Sequence, residues 1–136
     1  MTSSINPQIF REYDIRGIVG KDLTPGTVTS IGKAIGTYIK RSGGKTLVIG
    51  KDVRTSSEEF RKILSSALNS TGCDVIDIGM VPTPMTYFAL HHFKADGGVM
   101  ITGSHNPPEF NGFKISHGVH SLYGEKVQQL KKLIQS

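Results

Sequence analysis

Residues 102–114 read TGSHNPPEFNGFK and bring several chemically active side chains into one short segment. Gly103 allows the chain to turn at the end of an apolar run, which would leave Ser104 at a crevice. The NPP sequence at residues 106–108 stiffens the segment, because each proline fixes its own φ angle and restricts the residue before it. A serine held in this way is predicted to be a nucleophile, although the same residue types also form ordinary surface turns.

His105 follows Ser104 directly, which raises the question of a hydrolase pair. Neighbouring residues on an extended segment point in opposite directions, so a direct hydrogen bond between the two side chains is disfavoured. The serine also lacks a glycine two residues before it and two residues after it, the pattern of a nucleophile elbow. We therefore expect no acyl hydrolysis and interpret His105 and Asn106 as ligands or anchors of the loop.

A second group of polar residues follows the apolar run at residues 46–50. Asp52 and Arg54 are two residues apart and can share one side of the chain. They either brace the Ser104 loop or form an internal salt bridge at the start of the helix near Thr55. In both interpretations they lie behind the site and do not contact substrate, and we expect the same of Asn111.

Apolar patterns predict the elements that position these segments. Short β-branched runs bounded by turn residues predict buried strands at residues 46–50, 74–79, 97–103 and 112–116. A strand-like stretch also occupies residues 10–19. Apolar residues at helical spacing predict four helices, which open at Thr24, Thr55, Thr83 and Gly124.

The helix starts and the order of elements predict the fold class. Two threonine–proline pairs, at residues 24–25 and 83–84, match a capping residue followed by proline. Thr55 and Glu58 match a capping box. Alternation of strands and helices predicts an α/β domain, a three-layer α/β/α sandwich with a mixed, mostly parallel four-stranded sheet.

The edge of the sheet that binds ligand also follows from this order. Ligands of such sheets bind beyond the carboxyl ends of the strands. That rule selects the loops at residues 51–55, 79–83 and 103–112. Because the first and third of these loops contain the polar residues described above, we expect the binding site between them.

Composition limits the class of protein. A chain of 136 residues is typical of one domain, and its single cysteine excludes an internal disulfide or a cysteine-based zinc site. No apolar run reaches the roughly 20 residues that cross a bilayer, and the first residues do not resemble a secretory signal. The net charge of +5 favours anionic partners, but the basic residues are scattered, which argues against nucleic acid. We expect a cytoplasmic protein that binds neither membrane nor nucleic acid.

Three motifs in order resemble the α-D-phosphohexomutase family. They are FREYDIRG at residues 10–17, GKDVRTSS at residues 50–57 and the TGSHNPPEFNGFK segment. The chain is most similar to the amino-terminal domain of the bacterial phosphomannomutase/phosphoglucomutase group, and the resemblance covers essentially the whole chain. It implies a reversible shift of phosphate between O1 and O6 of a hexose phosphate through a bound hexose 1,6-bisphosphate.

The resemblance also implies the site residues. Ser104 corresponds to the family's phosphoserine, and a magnesium ion would hold one oxygen of its phosphate. Tyr13 and Arg16 would lie near the phosphoserine and Lys114 beside the reacting oxygens, with His105 and Asn106 as further catalytic and substrate-binding residues. Arg16 and Lys114 are candidates for acid/base and charge-stabilising roles. We expect a mainly electrostatic role for Arg16, because a guanidinium rarely loses its proton.

Finally, the resemblance implies what this chain does not contain. The family enzyme has four domains, and residues 1–136 resemble only the first, the one that bears the phosphoserine loop. The aspartate-rich loop that supplies most magnesium ligands, the sugar-specificity loop and the last, phosphate-clamping domain belong to the others. Hexose phosphates and these remaining domains are the expected partners. We expect the isolated chain to fold with little or no turnover. The alternative is a non-catalytic module that binds phosphate or a phosphosugar.

Overall fold

A computed structural model describes residues 5–11, 14–103, 106–118, 120–122 and 124–135. A 3-10 helix at Pro7–Ile9 precedes the main elements. The strands are β1 (Ile15–Ile18), β2 (Thr46–Lys51), β3 (Asp74–Met80), β4 (Gly97–Ile101), β5 (Phe110–His117) and β6 (His120–Ser121). The helices are α1 (Pro25–Arg41), α2 (Thr55–Ser70), α3 (Thr83–Phe93) and α4 (Glu125–Gln135).

The strands form one mixed sheet in the order β1-β5-β4-β2-β3. β2 is parallel to both β3 and β4, whereas β5 is antiparallel to β4 and to β1, and the short β6 pairs with β5. The predicted α/β class with a mixed, mostly parallel sheet is confirmed, since only β5 on this path runs against the others. The path has five strands, not four, because the strand-like stretch near the amino terminus pairs with β5.

Helices cover both faces of the sheet. On one face α1 and α2 pack over the strands, with Phe60 of α2 against Phe113 of β5 at a ring-centroid distance of 5.9 Å. On the other face α3 lies over β2 and β4, where the hydroxyl of Thr86 contacts the sulfur of Met100. Phe60 and Phe113 are at most 1% exposed and belong to the hydrophobic core beneath α1, α2 and α4. The predicted three layers are therefore present.

The helix starts agree with the sequence only in part. Thr24 caps α1, because its Oγ1 accepts a hydrogen bond from the Thr27 amide at 3.2 Å. The predicted caps of the next two helices are wrong: Thr55 and Thr83 are the first helical residues, and the residues before them make no side-chain cap. Glu58 binds Arg61 and Lys51 instead of closing a capping box, and these hydrogen bonds, the one from Arg61 first, lower its pKa to about 2.

The sequence predicts no membrane span, and the lengths of the helices can be compared with this prediction. α1, the longest helix described, has 17 residues, fewer than the roughly 20 that cross a hydrocarbon core. Across the described part of the chain, no helix is both long enough and apolar enough to span a membrane.

Candidate functional site

The carboxyl ends of β2 and β4 meet at one edge of the sheet. Lys51 and Ile101, the last residues of the two strands, are paired, and the amide of Asp52 donates to the carbonyl of Ile101 at 2.9 Å. The chain adds β3 on one side of β2 and β4 on the other, so this edge is a topological switch point, where α/β sheets bind ligands. A cleft of about 910 Å³ opens between the two loops, lined in part by Asp52, Thr102 and Asn106.

Three of the predicted site residues, Tyr13, Ser104 and His105, lie outside the described residues, so their roles remain predictions. The residues on either side of 104–105 are described. The amide of Asn106 donates to the carbonyl of Gly103 at 3.0 Å, and the Asn106 side-chain Nδ2 donates to the same oxygen at 2.9 Å. Two hydrogen bonds therefore link Gly103 and Asn106, the described residues on either side of Ser104 and its neighbour.

Asp52 accepts hydrogen bonds from both loops. Its carboxylate accepts from the amide of Gly103 at 3.1 Å, from the amide and Nε of Arg54 at 3.1 Å each, and from the hydroxyl of Ser57. Burial raises the pKa of Asp52, but the hydrogen bonds, led by the one from Ser57, outweigh it and the pKa is lowered. Asp52 is thus an anion at neutral pH, and it ties the residue before Ser104 to the start of α2.

The sequence left two interpretations of Asp52 and Arg54, and the structure contains the contacts of both. The two side chains form an ion pair with an Nε–Oδ2 distance of 3.1 Å just before α2. The same guanidinium also donates to main-chain carbonyl oxygens of the loop after Ser104, among them that of Asn106 at 2.7 Å. The ion pair therefore links the start of α2 to the loop.

Asn111 lies behind the loop and is fully buried. Its Nδ2 donates to the hydroxyls of Ser56 at 2.8 Å and Ser57 at 3.0 Å, and Ser57 in turn donates to Asp52. A chain of hydrogen bonds thus runs from β5 through α2 to the loop after β2. The sequence analysis missed Ser56 and Ser57, because serines in the first turn of a helix are common without any special role.

Arg16 and Lys114 share one face of the sheet. Arg16 of β1 pairs with Gly112 of β5, and Lys114 follows two residues later, opposite Met100 of β4. Residues directly opposite on neighbouring strands and alternate residues along a strand point to the same side. The amide of Thr102 donates to the carbonyl of Gly112 at 3.0 Å. With strands about 4.8 Å apart, the Cα of Arg16 is thus roughly 10 Å from the end of β4.

Asp14 is a further residue of this site that the sequence analysis did not select. Its carboxylate is 4% exposed and accepts from the Arg16 guanidinium, with an Nη2–Oδ2 distance of 3.0 Å. The contact fixes the guanidinium beside Asp14. Alternation in the YDIRG motif could have indicated it, since residues two apart on a strand share a face.

The described residues do not form a magnesium site by themselves. Among them, no three histidine, cysteine, aspartate or glutamate side chains come close enough to hold a metal ion. Two aspartates of this region are already engaged in ion pairs, Asp52 with Arg54 and Asp14 with Arg16. The described part of the domain therefore provides cations and hydrogen-bond donors, which are complementary to a phosphate, and lacks the ligand set of a cation.

The fold and the site together define an α/β/α domain with cations and hydrogen-bond donors near its topological switch point, and comparison with known proteins gives the family. A family model described as phosphoglucomutase/phosphomannomutase, alpha/beta/alpha domain I, matches residues 7–135. The chain belongs to this family. The resemblance stated from the three motifs is confirmed.

Individual relatives agree with the family assignment. The chain is 46% identical over 127 residues to the phosphomannomutase/phosphoglucomutase of Pseudomonas aeruginosa, covering 93% of this chain and 27% of that protein. It is 46% identical over 128 residues to a probable phosphoglucosamine mutase of Thermococcus gammatolerans, covering 93% and 28%. A crystal structure of a family protein from Burkholderia thailandensis superposes with a TM-score of 0.91 at 41% identity, covering 97% and 31%. The chain thus spans less than a third of the length of these proteins.

Proposed function

We propose that this chain is the phosphoserine-bearing domain of a phosphomannomutase/phosphoglucomutase and that Ser104 carries the phosphoryl group. The observation that supports this most strongly is the arrangement around the carboxyl end of β4. Gly103 and Asn106, which flank residues 104–105, are fixed at the same sheet edge near which Arg16 and Lys114 share one face. A phosphate bound to Ser104 would meet these cations.

The proposed chemistry is phosphoryl transfer in both directions. When phosphoserine donates, the bond from Ser104 Oγ to phosphorus breaks and a bond from a sugar hydroxyl oxygen to phosphorus forms. The hydroxyl proton passes to a base, and Ser104 Oγ takes up a proton. In the return step the bond between the other phosphate of the hexose 1,6-bisphosphate and its sugar oxygen breaks and a bond from Ser104 Oγ to phosphorus forms. The serine proton passes to a base, and the released sugar oxygen takes up a proton. The phosphoryl group spreads negative charge over its oxygens in the transition state, so fixed cations beside it lower the barrier.

Each site residue has a proposed role in this reaction. Lys114 would stabilise the charge of the transferring group and exchange the proton with the sugar oxygen. Arg16 would act electrostatically. Tyr13 and Asn106 would bind substrate and His105 would assist the transfer, while Asn111 and Asp52 would support the loop from behind.

Magnesium would neutralise charge on the phosphate, which is the chemistry the ion supplies in phosphoryl transfer. The described residues lack a ligand set for it. In our proposal the phosphate on Ser104 is the ligand from this domain and the remaining ligands belong to a different domain of the enzyme. No step of the reaction above depends on the position of the ion.

The domain is proposed to need the rest of the enzyme for turnover. We propose that residues 1–136 form one domain and that hexose phosphates bind between it and further domains of a cytoplasmic enzyme. A site that is open to water does not have the low dielectric constant that strengthens its charges. Isolated chain that converts mannose 1-phosphate to the 6-phosphate at ordinary enzyme rates would contradict this part of the proposal.

A labelling experiment tests the proposed function. The chain is incubated with ³²P-labelled hexose 1,6-bisphosphate and magnesium, denatured and separated from free label. We expect covalent label on the wild-type chain and none on Ser104→Ala, while Ser66→Ala, a change at an exposed serine of α2, keeps the label. Label that binds but is released on denaturation would favour the phosphosugar-binding module instead. Label retained by Ser104→Ala would refute the assignment of Ser104.

A further inference from the structure

We propose that Arg54 is a positioning residue for the Ser104 loop, fixing the main chain beyond residues 104–105 without contacting substrate. This inference rests on the proposed function in one respect only, namely that the loop carries the phosphoryl group on Ser104. Arg54 lies between β2 and α2, outside the loop itself, and its side chain is 15% exposed. A cation that is buried to this extent needs hydrogen-bond acceptors for its N–H groups. The acceptors that Arg54 has indicate its role.

The guanidinium of Arg54 is bonded to main-chain oxygens on the far side of Ser104. Nη2 donates to the carbonyl of Asn106 at 2.7 Å, and Nη1 donates to the carbonyls of Pro107 at 2.7 Å and Phe110 at 3.1 Å. These three oxygens lie along the segment that leads from the loop into β5. One planar group therefore holds the loop at three points.

Asp52 holds the other side of the loop and pairs with the same arginine. Its carboxylate accepts from the amide of Gly103, the residue before Ser104, and from Nε of Arg54. The pair therefore binds the chain on both sides of residues 104–105: Asp52 binds residue 103, and Arg54 binds residues 106, 107 and 110. A change in the orientation of the guanidinium would be transmitted to both sides.

Gly103 leaves room for this arrangement. The guanidinium of Arg54 lies directly against Gly103, in the space that a Cβ atom would occupy. The φ angle of Gly103 is not in the left-handed range. The sequence analysis expected this glycine to permit a turn, whereas the structure shows that it permits the close approach of Arg54.

Only arginine has the geometry for these contacts. Its donors form a rigid planar fork, and the resonance-stabilised charge lets it serve several carbonyls and a carboxylate at once. A lysine would place three donors on one nitrogen and could not reach Asp52, Asn106 and Phe110 together. The guanidinium is occupied by these protein acceptors, which is why we assign it to positioning and not to binding of the phosphate.

The test compares Arg54→Lys with Arg61→Lys. Arg61 is an arginine of α2 that is 23% exposed and pairs with Glu58 and Asp77, away from the loop. The first measurement is amide hydrogen exchange by NMR at Asn106, whose amide bonds to Gly103, with the amide of Val99 in β4 reporting the core. The second is the rate of Ser104 labelling by hexose 1,6-bisphosphate as a function of its concentration.

We expect Arg54→Lys to raise exchange at Asn106 by roughly tenfold or more while exchange at Val99 stays unchanged, and Arg61→Lys to change neither. The maximal labelling rate should fall by roughly 10- to 100-fold in Arg54→Lys, with a much smaller change in the half-saturating concentration, because misplacement of a nucleophile affects the step more than binding. Equal exchange at Asn106 in the two variants would overturn the proposal. Should Arg54→Lys not fold, Arg54→Gln is measured against the same control and the same comparison decides.

The two proposals fail in different ways. If the wild-type chain never takes label but Arg54→Lys still loosens Asn106, the proposed function is wrong and the positioning role stands. If Arg54→Lys leaves both the exchange at Asn106 and the labelling rate unchanged while the wild type is labelled, the positioning role is wrong and the function stands.

Discussion

Asp14 and Arg16 form a side-chain pair at the start of β1, with an Nη2–Oδ2 distance of 3.0 Å. Asp14 is buried, whereas the Arg16 side chain is 32% exposed. The carboxylate therefore binds one side of the guanidinium. Part of the Arg16 side chain stays accessible on the face of the sheet that Lys114 shares. In this arrangement a buried carboxylate holds a partly exposed cation in place.

The first prediction concerns this pair. Asp14→Asn should lower the free energy of unfolding by about 1–2 kcal/mol, because a charged hydrogen bond is lost while the released guanidinium can still reach water. Asp74→Asn is the control, since Asp74 pairs with Lys45 where both side chains are mostly exposed, and should cost less than about 0.5 kcal/mol. Urea unfolding measures both, and equal effects of the two substitutions would contradict the orienting role.

The second prediction concerns the glycine that lets β1 approach β5. A Cβ atom at Gly112 would collide with the carbonyl oxygen of Ile15 and lie 3.1 Å from the Cα of Arg16. Gly112→Ala should therefore lower the free energy of unfolding by at least about 2 kcal/mol and raise amide exchange in β1. Gly26→Ala in α1 has its nearest atom 4.0 Å away and should change stability by less than about 1 kcal/mol. Normal exchange in β1 of Gly112→Ala would refute this explanation.

The third prediction uses the lowered pKa of Asp52. A carboxyl whose folded pKa is depressed stabilises the fold above its unfolded pKa of about 3.9, and this contribution is lost as the pH falls through the folded pKa. Asp52→Asn should cost about 1–2 kcal/mol at pH 7. The difference in the free energy of unfolding between the wild type and Asp52→Asn should shrink as the pH is lowered below about 4. A difference that is the same at pH 7 and pH 3 would show that the charge of Asp52 does not matter.

The sequence predicted the elements whose signal is local. The apolar runs that became β2 and β4 and the periodic faces of α1 and α2 are repeated over many residues, so single exceptions do not obscure them. β1 was less clear because Arg16 and Gly17 interrupt its apolar pattern, and its pairing with β5, nearly 100 residues away, makes it a strand of the sheet.

The details of the site depended more on tertiary contacts. The Thr55 capping box was wrong because Thr55 is already the first helical residue and Glu58 pairs with Arg61 and Lys51. Gly103 was expected to make a turn, and only the position of Arg54 shows why a glycine fits there. The contacts of Arg54 with the loop join segments some 50 residues apart, and no local pattern contains them.

The proposed function requires a phosphate on Ser104 to lie among cations, and ³¹P NMR tests this directly. The chain is phosphorylated with hexose 1,6-bisphosphate, freed of metal with EDTA, and the phosphate signal is titrated with pH in the wild type, Arg16→Gln and Lys114→Gln, with the exposed Lys126→Gln as control. An isolated phosphoserine has a second pKa of about 6. We predict a lower midpoint in the wild type and in Lys126→Gln, and a rise toward 6 in the other two variants. A wild-type midpoint near 6 that neither substitution at Arg16 or Lys114 moves, or a wild-type chain that takes no phosphate at Ser104, would contradict the proposal.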